Sequence, residues 1–287
     1  MIAQIFDSRQ CTLGEGPLWH PVRKQLLWFD ILEKKLLSRH NHGLLEWQFD
    51  EYVSAAGWVD EDNLLIASQT KLFKFNLVTN ESTHVCDLEI DNSVTRSNDG
   101  RADPFGGFWI GTMGIACEPK AGAIYRYYKG ELRKLFSDIT VTNCICFSPD
   151  GKFGYFTDSL IKHVMRQPLD DAGWPKGEAS IYLDLSAESF GPDGAVIDSE
   201  GAMWNAQWGA SRVARYLPDG TLDFTIAIGG IQATCPAFGG DDFTDLYVTS
   251  ALENIKEPNE DQGATFLIQT DLKQKNICGQ KEHQVIL

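Results

Sequence analysis

No run of about 18 consecutive apolar residues occurs in the 287-residue chain, so no membrane-spanning helix is expected. Met1-Ile2-Ala3-Gln4-Ile5-Phe6-Asp7 lacks a basic stretch leading into a long apolar one, which argues against a signal peptide. The seven cysteines form no Cys-x-x-Cys pair, and their count is odd. Reduced thiols in a cytoplasmic protein are expected, not a disulfide framework. Cys144 and Cys146, two apart, would share one face of a strand as a small buried pair. Positive charge is scarce: 25 Lys and Arg stand against 40 Asp and Glu, a net charge of −15. Such a chain repels phosphate backbones, which argues against nucleic acid as a partner. Solubility accounts for most of the acidity. The six histidines contain no His-x-x-x-His pair, and no Gly-x-Ser-x-Gly nucleophile elbow is present. No segment carries the period of a long amphipathic helix.

Repetition is what the chain has instead. Short apolar, aromatic-rich runs recur as Leu26–Asp30, Leu64–Ser68, Phe108–Thr112, Gly154–Asp158, Met203–Gln207 and Leu246–Ser250, and their second or third apolar positions (28, 65, 109, 155, 204 and 247) are 37, 44, 46, 49 and 43 residues apart. That period suits a four-stranded propeller blade. A cluster of Gly, Pro or Asp precedes each run, as in His20-Pro21, Asp103-Pro104-Phe105-Gly106-Gly107 and Ser148-Pro149-Asp150-Gly151. These residues supply the fixed or positive φ and the local side-chain hydrogen bonds of tight turns. A third strand follows every run, but a fourth follows only five. Gln4-Ile5-Phe6 and Gln284-Val285-Ile286 compete to be the sixth, and a strand from a chain end would remove the open edge. The expectation is an all-β, six-bladed β-propeller with four-stranded blades, closed by a terminal strand and forming one domain over residues 1–287.

The strand before each turn should be innermost. Counting back six residues from an equivalent turn position gives Glu15, Ala55, Asn98, Asn143, Asp193 and Cys235. Four of these six carry side-chain oxygens. Equivalent positions of strands arranged about an axis converge on it. Two carboxylates and two amides are costly when buried alone, but they suit a hard divalent cation. A second polar column, Asp30, Ser68, Thr112, Asp158, Gln207 and Ser250, reads as hydrogen-bonding residues of strand ends.

Leu13-Gly14-Glu15-Gly16-Pro17, Asn98-Asp99-Gly100, Gly111-Thr112-Met113, Thr142-Asn143, Phe147-Ser148-Pro149-Asp150-Gly151, Gly191-Pro192-Asp193-Gly194 and Cys235-Pro236-Ala237-Phe238-Gly239-Gly240 together resemble the SMP-30/gluconolactonase/regucalcin family, in its bacterial sugar-lactonase form. The resemblance implies a six-bladed propeller and a metal-dependent hydrolase that opens a sugar lactone to the aldonic acid. It implies Glu15, Asn143 and Asp193 as ligands of one divalent ion: calcium foremost, with zinc, manganese or magnesium as alternatives. Asp193 would also be the catalytic carboxylate, with Arg96 and Asn98 contacting substrate. Asp99 and Glu118 are candidates for a supporting layer. Where many members have Asn-Gly-Leu, this chain has Asn143-Cys144-Ile145.

The expected mechanism has the metal polarise the lactone carbonyl, Asp193 act as general base, and Arg96 and Asn98 hold sugar hydroxyls or the oxyanion. The expected partner is a small sugar lactone, with neither nucleic acid nor membrane, for a monomer or weak homo-oligomer. Two rivals remain: a non-catalytic propeller that binds calcium or a protein, and a metal-dependent esterase of another substrate class. Arg96 beside the polar column favours an enzyme, since an ion store needs no substrate clamp.

Overall fold

Twenty-four strands and one 3-10 turn (Leu272–Lys275) make up the regular structure of the computed structural model, which describes residues 2–40 and 43–287. The Asp-rich clusters form their turns as their chemistry dictates. Asp103 Oδ1 accepts the Phe105 and Gly107 N–H groups, and Asp198 Oδ1 accepts those of Glu200 and Ala202. No helix among the described residues is long and apolar enough to cross a membrane.

The strand β1 (Ala3–Asp7) stands apart from the first repeat. The first blade is then β2 (Gly14–His20), β3 (Gln25–Asp30), β4 (Lys35–His40) and β5 (Gly43–Gln48), antiparallel in chain order. The second is β6 (Val53–Trp58), β7 (Asn63–Ser68), β8 (Lys71–Asn76) and β9 (Ser82–Asp87). The third is β10 (Thr95–Ala102), β11 (Phe108–Gly114), β12 (Gly122–Tyr128) and β13 (Glu131–Ile139). The fourth is β14 (Thr142–Phe147), β15 (Phe153–Asp158), β16 (His163–Pro168) and β17 (Ser180–Asp184).

The expectation of a six-bladed propeller is corrected at this point. The remaining strands, β18 (Gly191–Ile197), β19 (Met203–Trp208), β20 (Arg212–Tyr216), β21 (Leu222–Ala227), β22 (Gln232–Gly239), β23 (Asp245–Ala251) and β24 (Thr265–Gln269), join β1 in one eight-stranded sheet. The architecture is therefore four four-stranded blades plus one large sheet. The joint is a single antiparallel pairing of Trp208 with Gln232. Backbone bonds beside it, Ser211 N–H to Ile231 O and Ile228 N–H to Ser211 O, draw the two strand ends together. Repeat spacing counts strands and turns but carries no record of a hydrogen bond between strand ends, so it did not show this fusion.

Of the two candidate closing segments, the N-terminal one pairs: Ala3 with Ile268, Gln4 with Leu267 and Ile5 with Phe266. The C-terminal one forms no strand and instead crosses one end of the channel. Val285 N–H donates to Trp58 O, and Ile286 N–H to Gly106 O. Gln280 Nε2 donates to Phe147 O and Ile197 O, and Trp58 Nε1 to Glu282 O. The Glu282 carboxylate pairs with the Arg101 guanidinium. The channel itself is made by β2, β6, β10, β14, β18 and β22, each packed beside the next and β22 beside β2. Large apolar side chains fill the spaces between neighbouring sheets, with Trp28, Trp109 and Trp204 fully buried on the second strands.

Candidate active site at the channel mouth

Every channel-lining strand breaks register with its partner near its first residues. The shifts fall between Glu15 and Leu18, Val53 and Ala55, Ser97 and Gly100, Asn143 and Cys146, Pro192 and Ala195, and Ala233 and Pro236. A bulge bends its strand and re-aims a side chain. Six of them at one level place the polar column at the mouth, at the opposite end from the C-terminal segment. Sequence reading found the column but not the bulges. Their trace was Gly16, Gly100 and Gly194, each one or two residues after a column position.

Two bulges use left-handed backbone. Gly16 has φ +53°, and a Cβ on it would lie 2.2 Å from the Ser54 carbonyl oxygen. Gly16→Ala is therefore expected to cost at least about 1–3 kcal/mol, read as a lower denaturant midpoint. Cys144 adopts φ 58° as a non-glycine residue. Its thiol donates to Asp193 O at 2.8 Å, and Asn205 Nδ2 donates to the same carbonyl at 3.0 Å.

Glu15, Arg96, Asn98, Asp99, Asn143 and Asp193 are each no more than 6% exposed. The Glu15 and Asp193 carboxyls lie within hydrogen-bonding reach of each other. Burial, then the Asp99 charge, pushes Glu15 up to about 8, and burial followed by Glu15 raises Asp193 well above the carboxylate range. Glu15 Oε2 accepts the Gly16 N–H at 3.1 Å, whereas Asp193 Oδ1 is buried with no hydrogen-bond partner among the described residues. Arg96 Nη1 donates to Ser97 O at 2.9 Å and Asn98 Oδ1 at 2.8 Å, while its Nε has no partner. Asn98 Nδ2 donates to Thr142 O at 2.8 Å and Asn143 Oδ1 at 3.2 Å.

Asp99 lies below this layer. Its Oδ2 accepts the Ile145 N–H at 2.7 Å, tying β10 to β14, and burial raises it to about 6. Glu118 is turned into its own loop, where Oε2 accepts the Ala116 N–H. Ala55 and Cys235 complete the level as buried, apolar members. The second polar column ties backbone: Asp30 accepts the Thr12 and Leu13 N–H groups, and Asp158 those of Thr140 and Val141. Sequence reading missed Ser159, which follows Asp158 and touches Asn143.

A match to the SMP-30/Gluconolactonase/LRE-like region spans residues 13–252. The chain belongs to this family. Among solved structures, a calcium-binding protein, regucalcin, from Agrobacterium tumefaciens is 39% identical, with a TM-score of 0.95 over 99% of this chain and 97% of that one. An L-arabinolactonase of Azospirillum brasilense is 33% identical over 93% of this chain and 91% of its own. A 6-deoxy-6-sulfogluconolactonase of Pseudomonas putida is 31% identical over 85% of this chain and 84% of its own.

Within this SMP-30/gluconolactonase chain, no three His, Cys, Asp or Glu side chains among the described residues form a metal cluster. Within the column Glu15, Asp193 and Asn143 offer two carboxylates and an amide, an all-oxygen set suited to a hard cation. The partnerless Asp193 oxygen and the mutual approach of two buried carboxyls fit a site built around positive charge.

Proposed function

We propose that the chain is a metal-dependent hydrolase that opens a sugar lactone to its aldonic acid. One observation carries the reading: a buried carboxylate pair, with Asp193 Oδ1 unpaired, shares the channel mouth with a buried guanidinium whose Nε is free. The names of the relatives, an L-arabinolactonase and a sulfogluconolactonase, support the lactone as substrate. The calcium-binding regucalcin supports a divalent ion, calcium foremost. Glu15, Asn143 and Asp193 would hold it. When bound, the ion supplies Lewis acidity at the lactone carbonyl.

The remaining steps belong to side chains. Asp193 takes the proton of the attacking water as the new C–O bond forms, and the proton passes to the ring oxygen as the lactone C–O bond breaks. Asn98 and Ser97 engage one end of the Arg96 guanidinium, which leaves its other donors for the sugar hydroxyls or the developing oxyanion. A non-catalytic ion store would have no use for a fixed and buried arginine.

A pH-indicator screen of pentono- and hexonolactones, with added calcium and with chelator, tests the reading. The expected result is hydrolysis above the spontaneous rate that chelator abolishes. A metal-replete sample with no turnover on any of these lactones would overturn it.

A further inference from the structure

The nitrogen end of the Asn143 amide is held by one hydroxyl, and its oxygen end faces the Asn98 amide. Asn143 Nδ2 lies 2.9 Å from Ser159 Oγ, and Ser159 Oγ lies 2.6 Å from Pro192 O. A carbonyl oxygen only accepts, so the serine proton points at Pro192. The serine oxygen is then left with lone pairs toward Asn143 and accepts from the amide nitrogen. The other end of that amide, Oδ1, is thereby turned to the column, where it meets Asn98 Nδ2. With the amide reversed, Oδ1 would face the Ser159 lone pairs and an N–H group would face the column. A divalent ion does not bind an N–H.

The same hydroxyl joins two strands. Asn143 belongs to β14, and Pro192 immediately precedes Asp193 in β18. Ser159 is itself fixed by its backbone, since its N–H donates to Val141 O at 3.0 Å. One side chain outside the column thus sets both which atom Asn143 offers and how its strand stands against the strand of Asp193.

We infer that Ser159 is a positioning residue for the ion site, turning the oxygen of Asn143 toward the ion and holding it in register with Asp193. The inference rests on the metal-dependent reading above. Partners behind a ligand typically change metal affinity by 10–100-fold.

Calorimetric titration of calcium into chelator-stripped full-length protein tests it, with thermal midpoints measured in chelator. Ser159→Ala is expected to weaken calcium binding by about 10–100-fold, with the midpoint in chelator nearly unchanged. Ser159→Thr, which keeps the hydroxyl, is expected to bind within a few-fold of the parent. Ser159→Val, matched to threonine in shape, is expected to bind as weakly as the alanine variant. The Thr and Val pair keeps the test decisive should alanine loosen the loop. Equal affinity of Thr and Val variants overturns the positioning role while leaving the metal reading intact. A parent protein that binds none of calcium, zinc, manganese and magnesium overturns both.

Discussion

Asp193→Asn is expected to lower lactone turnover by about 10²–10⁴-fold, the range for loss of a general base, while raising the stability of the chelated protein at alkaline pH. The two effects share one cause. Asp193 and Glu15 lie buried within reach of each other, with Asp99 close enough to add its charge. The amide keeps the size of the side chain but neither accepts the water's proton nor carries charge. Chelated protein must either hold protons on this pair or bury like charges together. Both carboxyls have folded-state pKa values above their usual range, Glu15 reaching about 8. The folded state therefore binds protons more tightly than the unfolded one. That stabilisation is complete below the unfolded carboxylate range and disappears as pH rises through the folded values. Chelated parent protein should accordingly lose stability between about pH 5 and pH 8 and beyond, and Asp193→Asn should flatten this slope. Urea midpoints in chelator across that window, beside lactone turnover with calcium, provide the check. An unchanged turnover removes Asp193 from the chemistry, and an unchanged slope removes the charge conflict.

Glu282→Ala is expected to destabilise the fold by about 3–5 kcal/mol, the cost of stripping one partner from a buried ion pair. Arg101 sits in the channel wall, and the Glu282 and Arg101 side chains are only 7% and 11% exposed. Without Glu282, the guanidinium would face Phe147, Val196, Ile197 and Phe238 across a small cavity. At this chain size the loss corresponds to a fall in thermal midpoint on the order of 10 °C. Replacing both partners by methionine separates two explanations. If the unpaired charge causes the loss, the double variant recovers most of the stability of the parent. If the C-terminal segment is held mainly by this pair, the double variant stays as weak as Glu282→Ala. Full stability in Glu282→Ala would show that Gln280, Val285 and Ile286 hold the segment without it.

The strands and the polar column were legible because they leave periodic marks. Aromatic runs recur at blade spacing, and a turn of fixed chemistry lets positions be compared between repeats. Glu15, Asn98, Asn143 and Asp193 emerged from that comparison, and the family resemblance singled out Glu15, Asn143 and Asp193 among them as ligands. What stayed hidden depends on contacts between distant residues with no periodicity. The Trp208–Gln232 pairing, which replaces two expected blades by one large sheet, is a single bridge. The docking of residues 280–286 across the channel involves backbone carbonyls of four different strands or turns. The bulges left only scattered glycines, and at Asn143 even that sign is absent, because Cys144 occupies the left-handed position. Nothing in the sequence marks Ser159; its place in the site comes from two partners, 16 and 33 residues away.

Pairing of β1 with β24 also fixes when the protein can finish folding. Among the described strands β1 is synthesised first and its partner last. The four-stranded blades can each form as they emerge, since their pairings are local. The large sheet cannot: β24 presents an unpaired edge until the N-terminal strand returns to it. Arg101 likewise waits for Glu282. Closure is thus a late step with high sequence separation, which makes it slow. A nascent or truncated chain is most exposed to misassembly at that edge, far from the residues that carry out its chemistry.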